Sequence, residues 1–107
     1  MFTRVVEINC KSGKARDLCS TVDEKVLPIL QKQNGFVDEA VMVSDTEPNR
    51  ILAISFWKTR DDAQRYEREQ FDTVQKLVQH LLEGPPVVRK FDVHSSTAHK
   101  VTARQAA

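Results

Sequence analysis

Residues 50 to 58, RILAISFWK, are apolar on both of the faces that an extended chain presents. If this segment is a β-strand, successive side chains alternate between the two faces of its sheet. One face then carries Leu52, Ile54 and Phe56, and the other carries Ile51, Ala53 and Trp57. Residues 36 to 44 repeat the pattern, with Val37, Val41 and Val43 opposite Phe36, Ala40 and Met42. A sheet with helices on one side only has a polar second face, so these strands need cover on both sides.

A strand and a helix precede this pair. From residue 2 to 10 two faces alternate and β-branched residues are frequent, which is typical of a strand. From residue 13 to 34 apolar residues recur at helical spacing. Pro28 removes one backbone donor and should bend this helix near its C-terminal end, which Gly35 follows.

A helix and a strand also follow the pair. The turn formers DTEPN join the two apolar strands into a hairpin. Thr59 fits an N-cap, so we expect a second helix from residue 60 to 83, ended by Gly84. Residues 87 to 94 then alternate as a fourth strand. The order βαββαβ predicts an α+β, ferredoxin-like sandwich in which two helices cover one face of an antiparallel sheet.

The length of 107 residues is that of one domain, which we expect to span residues 1 to 95. Residues 96 to 107 are polar and lack a core pattern, so they should lie on a partner subunit or extend as a loose arm. The simplest cover for the apolar face without helices is a second copy of the chain. The sequence therefore predicts a homodimer whose sheets pack face to face.

Composition and charge exclude several classes of function. The net charge is +1 and no basic stripe with interleaved aromatic residues is present, so we expect no nucleic-acid partner. Arg4 and Glu7 interrupt the first apolar stretch, and no run approaches the ~18 apolar residues of a membrane helix. We therefore predict a cytoplasmic protein without a membrane partner. Cys10 and Cys19 form no metal-binding or disulfide pattern, and His94 lies five residues from His99, so no metal site is predicted.

The second predicted helix changes character along its length. Its second half is amphipathic, but in its first half the apolar stripe carries Tyr66, Glu67 and Gln70. One interpretation is a cavity bounded by these three residues and Phe71, with Trp57 nearby at the strand exit. The other is a break near Gln70 that rotates the first half toward solvent. Trp57 itself is either a wall of that cavity or a plug of the core.

Three segments together resemble the antibiotic biosynthesis monooxygenase family: VLPILQKQNGF, SFWKTRDDAQRYE and EGPPVVRKFDV. The resemblance implies a dimeric α+β barrel with a cavity in each subunit between helices and sheet. It also implies a monooxygenase that acts on a small aromatic or quinol-type substrate without metal, flavin or heme. The heme-degrading branch of the family requires Asn, Trp and His where this chain has Val6, Arg65 and Gln75, so heme degradation is disfavoured.

We expect a small-molecule ligand or substrate, no cofactor, and no catalytic residue that the sequence alone identifies. Tyr66, Glu67 and His80 are candidate polar partners of a phenol, and Arg4 is placed to steady its anion. The full predicted binding set is Arg4, Trp57, Tyr66, Glu67, Gln70, Phe71 and His80. The alternative is a non-enzymatic dimer that binds a small ligand or serves as a stress-related module, because a fold does not determine a function. Polar side chains directed into the cavity would favour the monooxygenase over the non-enzymatic dimer.

Overall fold

The strands of the sheet pair in the order β2-β3-β1-β4, and every pair is antiparallel in the computed structural model, which describes residues 1–101. The strands are β1 (Phe2–Asn9), β2 (Phe36–Val43), β3 (Arg50–Trp57) and β4 (Val87–Asp92). Helices α1 (Ala15–Thr21), α2 (Leu27–Gln31) and α3 (Arg60–Val78) cover one face. This is the predicted ferredoxin-like α+β fold. None of the helices in residues 1–101 is both long enough and apolar enough to span a bilayer.

The first helical segment is irregular at a different place from the one predicted. A π-helical stretch, Val22–Val26, joins α1 to α2, and the backbone N–H of Leu27 bonds the carbonyl of Val22, five residues earlier. Pro28 then lies in the first turn of α2, where a missing N–H is tolerated. The wider turn precedes the proline because the ring of Pro28 would clash with the carbonyl four residues back in a regular helix. The irregularity thus lies near the middle of the segment, not at its end.

Helix α3 begins as predicted. Thr59 is its N-cap, and its hydroxyl oxygen accepts a hydrogen bond from the backbone N–H of Asp62 at 3.1 Å. The helix continues unbroken past Gln70 and ends at Val78, where a 3-10 turn (Gln79–Leu81) replaces the predicted continuation to residue 83. Tyr66 is buried, so the first half of the helix faces the core and the predicted alternative of an outward rotation is wrong.

A β-bulge reverses one predicted orientation in β2. Phe36 pairs with Trp57 and Asp38 pairs with Phe56, so Val37 is the extra residue. Because the bulge shifts the alternation by one residue, Phe36 lies on the same side as Val41 and not opposite to it. The ring of Phe36 meets that of Trp57 edge to face, with centroids 5.6 Å apart. The bulge therefore brings an aromatic side chain into the core between sheet and helices.

The other side of the sheet remains largely uncovered by the chain's own helices. We call this the helix-free face; its large apolar side chains are Val5, Met42, Leu52, Ile54, Phe56, Val87 and Phe91. Met42 is 45% exposed and Phe91 is 50% exposed. Part of the C-terminal segment reaches this face, since His99 Nε2 lies 3.1 Å from Asp38 Oδ2 and the imidazole packs on Phe56. Residues 102–107 of the predicted polar tail lie outside the described residues.

Gly13 and Gly35 both have positive φ, but only Gly35, which precedes β2, is packed against α3. Substitutions at the two positions therefore test how tightly α3 packs there. Gly35 (φ +81°) lies against the first turn of α3, and a Cβ there would come within 2.1 Å of the Asp62 carboxylate, whereas Gly13 (φ +76°) has open space around it. Gly13→Ala should therefore lower the free energy of unfolding by about 1 kcal/mol, and Gly35→Ala by roughly 3 kcal/mol. Urea denaturation of both variants measures the difference. Equal losses of unfolding free energy in the two variants would show that the Asp62 side chain moves aside at no cost, and would contradict tight packing at Gly35.

Candidate functional site

A cavity of about 60 Å³ lies between the helices and the sheet. Its walls are mostly apolar, and the helical part of them includes Val22, Val26, Leu30, Val74 and Val78. Five polar or ionisable residues also line it: Arg4, Glu39, Ser55, Tyr66 and Gln75. A space of this size accommodates a few water molecules, so a ligand that contains a ring requires the apolar walls to separate. The π-helical stretch contributes Val22 and Val26 to the wall.

Four polar residues stand side by side across the sheet. Glu39 of β2 pairs with Ser55 of β3, Ser55 pairs with Arg4 of β1, and Arg4 pairs with Lys90 of β4. Directly paired residues point to the same face of a sheet, and this face is the one that the helices cover. We call these four residues the polar row. Most of the other sheet residues that face the helices, such as Val6 and Ile51, are apolar.

Arg4 is the buried cation of the polar row. Its side chain is 2% exposed, and Nη2 donates to Glu67 Oε2 at 3.2 Å. The guanidinium carbon lies 4.5 Å from the ring centroid of Phe71 and 5.3 Å from that of Tyr66, which are cation-π distances. Arg4 Nε is buried and has no hydrogen-bond partner among residues 1–101. A buried donor without a partner is costly, so this nitrogen is a place where a ligand atom would be stabilised.

Glu67 of α3 holds Arg4 from the rim of the cavity. Its second oxygen, Oε1, accepts a hydrogen bond from Lys90 Nζ at 2.9 Å. Partial burial opposes ionisation, but the Lys90 hydrogen bond and the charges of Arg4 and Lys90 outweigh it and keep the pKa of the Glu67 carboxyl below its ordinary value. Glu67 therefore stays ionised at neutral pH, between two cations.

Glu39 is the second carboxylate near Arg4, and it has no comparable partner. Its side chain makes no ion pair or hydrogen bond within the described part of the chain. Burial raises the pKa of Glu39 from 4.5 to about 7, against the opposing charge of Arg4 and with a small contribution from Asp38. The carboxyl group therefore titrates close to neutral pH while it lines the cavity.

An aromatic stack fixes the position of Tyr66. Its ring lies 5.0 Å from that of Trp57 at an interplanar angle of 29°, and its edge meets Phe71. Burial raises the pKa of Tyr66 to about 12, although the charge of Arg4 acts in the opposite direction. Its hydroxyl group therefore remains protonated at neutral pH. Trp57 is 0% exposed, and its Nε1 donates to Ser55 Oγ at 2.9 Å, so it packs behind Tyr66 and Ser55 and does not itself line the cavity.

The predicted site residues fall into three groups by position. Arg4, Tyr66 and Phe71 line the cavity, while Trp57 and Glu67 contact residues that line it. Gln70 is not among the lining residues, and His80 is exposed in the 3-10 turn after α3.

Sequence reasoning missed Glu39, Ser55 and Gln75. For Glu39 a signal was present: Asp38 and Glu39 are adjacent in a strand that is apolar on both faces, so one of the two carboxylates must be directed toward the helices.

Residues 1–101 contain no group of three or more His, Cys, Asp or Glu side chains placed to hold a metal ion.

Comparison with known proteins gives a family and a fold. A family model described as antibiotic biosynthesis monooxygenase matches residues 1–77. No curated protein matches the chain. Among solved structures, a candidate antibiotic biosynthesis monooxygenase from Bordetella bronchiseptica is similar with a TM-score of 0.76 and 22% identity, over 84% of this chain and 93% of that one.

Two Streptomyces proteins are also similar in fold. The monooxygenase ActVA-Orf6 of Streptomyces coelicolor, solved with nanaomycin D, has a TM-score of 0.77 and 14% identity, over 89% of this chain and 88% of that one. A variant of SnoaB, a cofactor-independent oxygenase from Streptomyces nogalater, has a TM-score of 0.76 and 17% identity, over 92% of this chain and 97% of that one. At these identities the likeness establishes the shared fold.

The titration of Glu39 should appear in the stability of the folded protein. Below pH 4.5 the carboxyl is protonated in both states, and as pH rises toward 7 the unfolded state ionises first. The free energy of unfolding should thus fall over this window by up to about 3 kcal/mol relative to Glu39→Gln, and stay level above it. Urea denaturation across the pH range measures this difference, with Glu69→Gln at an exposed position of α3 as the control. Parallel curves for wild type and Glu39→Gln would contradict the raised pKa.

Proposed function

Since the chain belongs to the antibiotic biosynthesis monooxygenase family, we propose that it is a cofactor-independent monooxygenase that oxidises a small phenol or quinol in the cavity between helices and sheet. One observation favours this choice of substrate: Arg4 is buried in the wall of a mostly apolar cavity, and within residues 1–101 its Nε has no hydrogen-bond partner. A hydroxylated ring matches both features, because its carbon atoms suit the apolar walls and its ionised oxygen suits the guanidinium.

The reaction balances without an external reductant. A phenol with a free ring position and one O2 give a quinone and one water molecule. The ring loses one hydrogen from carbon and one from its hydroxyl group, and both leave in the water. One oxygen atom enters the ring as a carbonyl, and the electrons that reduce the other oxygen atom come from the ring itself. The protein therefore has to stabilise the electron-rich anion, exclude bulk water and admit oxygen.

The site residues take distinct roles in this proposal. Arg4 binds the anionic oxygen, and Tyr66 and Phe71 pack against the ring of the substrate. Glu67 keeps the guanidinium in place through its hydrogen bond to Nη2, and Trp57 keeps Tyr66 in place through the aromatic stack. Gln70 and His80 do not line the cavity and receive no role.

Two similar structures support this proposal by the chemistry in their names. SnoaB is described as a cofactor-independent oxygenase, and ActVA-Orf6 as a monooxygenase with the ligand nanaomycin D. The competing idea, a module that only binds ligands, is less well supported. Polar groups directed into the cavity favour chemistry over passive binding, and this cavity contains Tyr66, Arg4 and Glu39.

A homodimer is part of the proposal. The helix-free face leaves large apolar side chains partly exposed, including Met42 and Phe91, and such patches mark association surfaces. Two copies packed through this face would cover those side chains on both sheets. The cavity lies on the opposite side of each sheet, so each subunit retains its own site.

Turnover of phenols tests the proposed activity. Wild-type protein should consume O2 with naphthols, hydroquinones or anthrones and incorporate one atom of labelled oxygen into the product, as detected by mass spectrometry. Arg4→Met should lower kcat/KM on the order of 100-fold, because the anion loses its charged donor. Arg4→Lys keeps the charge but lacks Nε, and should be intermediate. Arg68→Met, at an exposed position on α3, is the control. Unlabelled product, or equal rates in the Arg4 variants, would refute the assignment.

The dimer is tested through the middle of the helix-free face. Leu52 lies there on β3, one of the two central strands, so Leu52→Glu should give a monomer, because a buried charge would face its own copy across the interface. Gln64→Glu adds the same charge at an exposed position of α3 and should leave the dimer intact. Light scattering at micromolar concentration distinguishes the two states. A monomeric wild type would contradict the dimer, whose interface should exceed ~2,000 Å².

A further inference from the structure

We infer that Glu39 is the proton acceptor of this site, and that the hydroxyl oxygen of the ligand binds at Arg4 Nε and transfers its proton to the Glu39 carboxylate. The inference rests on the proposed function for the identity of the ligand, a hydroxylated aromatic ring. The main evidence for the inference is the geometry of the polar row.

Arg4 and Glu39 flank the same residue of the sheet. Both pair with Ser55, from β1 and from β2 respectively. Strands lie ~4.8 Å apart, so the two Cα atoms are separated by roughly 10 Å. Both side chains line the one cavity above Ser55. Two long side chains rooted at this distance can approach a single hydroxyl group from opposite sides.

The other polar groups that line the cavity are poor proton acceptors. Tyr66 has a pKa of about 12 and is itself protonated at neutral pH. The Ser55 hydroxyl oxygen already accepts from Trp57, and the amide of Gln75 is not basic. Glu39 has a pKa of about 7, and a general base works best when its pKa lies near the working pH. Among the described residues lining the cavity, Glu39 is the one carboxylate.

The charges around the cavity also favour an internal transfer. Arg4 and Lys90 are cations, and Glu67 and ionised Glu39 are anions, so the cluster is neutral before a phenol binds. The helical segments α1, π and α2 contribute only apolar lining side chains, among them Leu18, Val22 and Leu30. Asp38 lies next to Glu39 in the chain but on the helix-free face, against His99. Transfer of the proton to Glu39 leaves this cluster neutral, whereas its loss to solvent would leave an excess negative charge beside a mostly apolar cavity.

The step itself is a proton transfer. The O–H bond of the ligand breaks, its electron pair stays on the ring oxygen, and a new O–H bond forms on Glu39. Arg4 Nε donates a hydrogen bond to the resulting anion, which gives this buried nitrogen the partner it lacks among the described residues. No oxidation occurs in this step. Reaction with O2, as proposed above, follows from the bound anion.

Binding of 2-naphthol tests the inference before any turnover. The ionised form of this probe absorbs at longer wavelength than the neutral form and beyond the absorption of the protein. Under anaerobic conditions at pH 8, wild-type protein should bind the probe in its ionised form. Calorimetry in buffers of different ionisation enthalpy should show that no proton is released to the buffer. In Glu39→Gln the bound probe should be neutral and its affinity at least tenfold lower. Glu69→Gln should behave as wild type.

Each result has a defined meaning. An ionised probe with one proton released by the wild type would overturn the inference, because solvent would then be the acceptor. A neutral probe in the wild type would also overturn it, together with the anion-binding role proposed for Arg4, whereas the oxygenase activity itself is tested separately by labelled oxygen. A complete lack of binding by naphthols and hydroquinones would remove the proposed substrate class and the inference together. Where turnover is measured, kcat/KM should rise through an apparent pKa near that of Glu39 and lose this step in Glu39→Gln.

Discussion

The buried guanidinium of Arg4 determines much of what surrounds it. A cation at 2% exposure in the middle of a sheet is destabilising unless it is paired. The chain supplies that pairing from the helix above, through Glu67, and from two aromatic faces, Tyr66 and Phe71. These contacts draw the first half of α3 against the sheet, and they explain why polar residues lie on a stripe that would otherwise be apolar.

The side chains around Arg4 hold its guanidinium group in place, but among residues 1–101 they leave one of its hydrogen-bond donors without a partner. Trp57 packs behind Tyr66 and fixes Ser55, so the floor of the cavity has little freedom to move. Glu67 binds only one terminal nitrogen and is itself shared with Lys90. Within residues 1–101, Arg4 Nε and the Glu39 carboxylate have no hydrogen-bond partner, and both residues line the cavity. Such incomplete satisfaction of buried polar groups is frequent at functional sites and uncommon in structural ones.

Local signals predicted the parts of this structure that depend on neighbouring residues. The Thr59 cap, the hairpin and the strand alternation were all readable because each depends on residues close in sequence. The bulge at Val37 and the π-helical stretch were not, since they arise from packing between layers. Glu39 was missed because β2 is apolar on both faces, and alternation alone does not reveal which face the helices cover. The predicted role of Arg4 in binding an anion stays a prediction, and its contacts with Glu67, Tyr66 and Phe71 join residues far apart in the sequence, so they could not be predicted without the fold.

A crystal structure of the wild-type protein with 2-naphthol, grown anaerobically at pH 8, tests the central claim most directly. The claim is that Arg4 and Glu39 bind one ligand oxygen between them. The ring should lie among the apolar side chains of α2 and α3, with its oxygen within ~3.2 Å of both Arg4 Nε and a Glu39 oxygen. A ligand bound elsewhere, or a direct ion pair between Arg4 and Glu39 that closes the cavity, would contradict it.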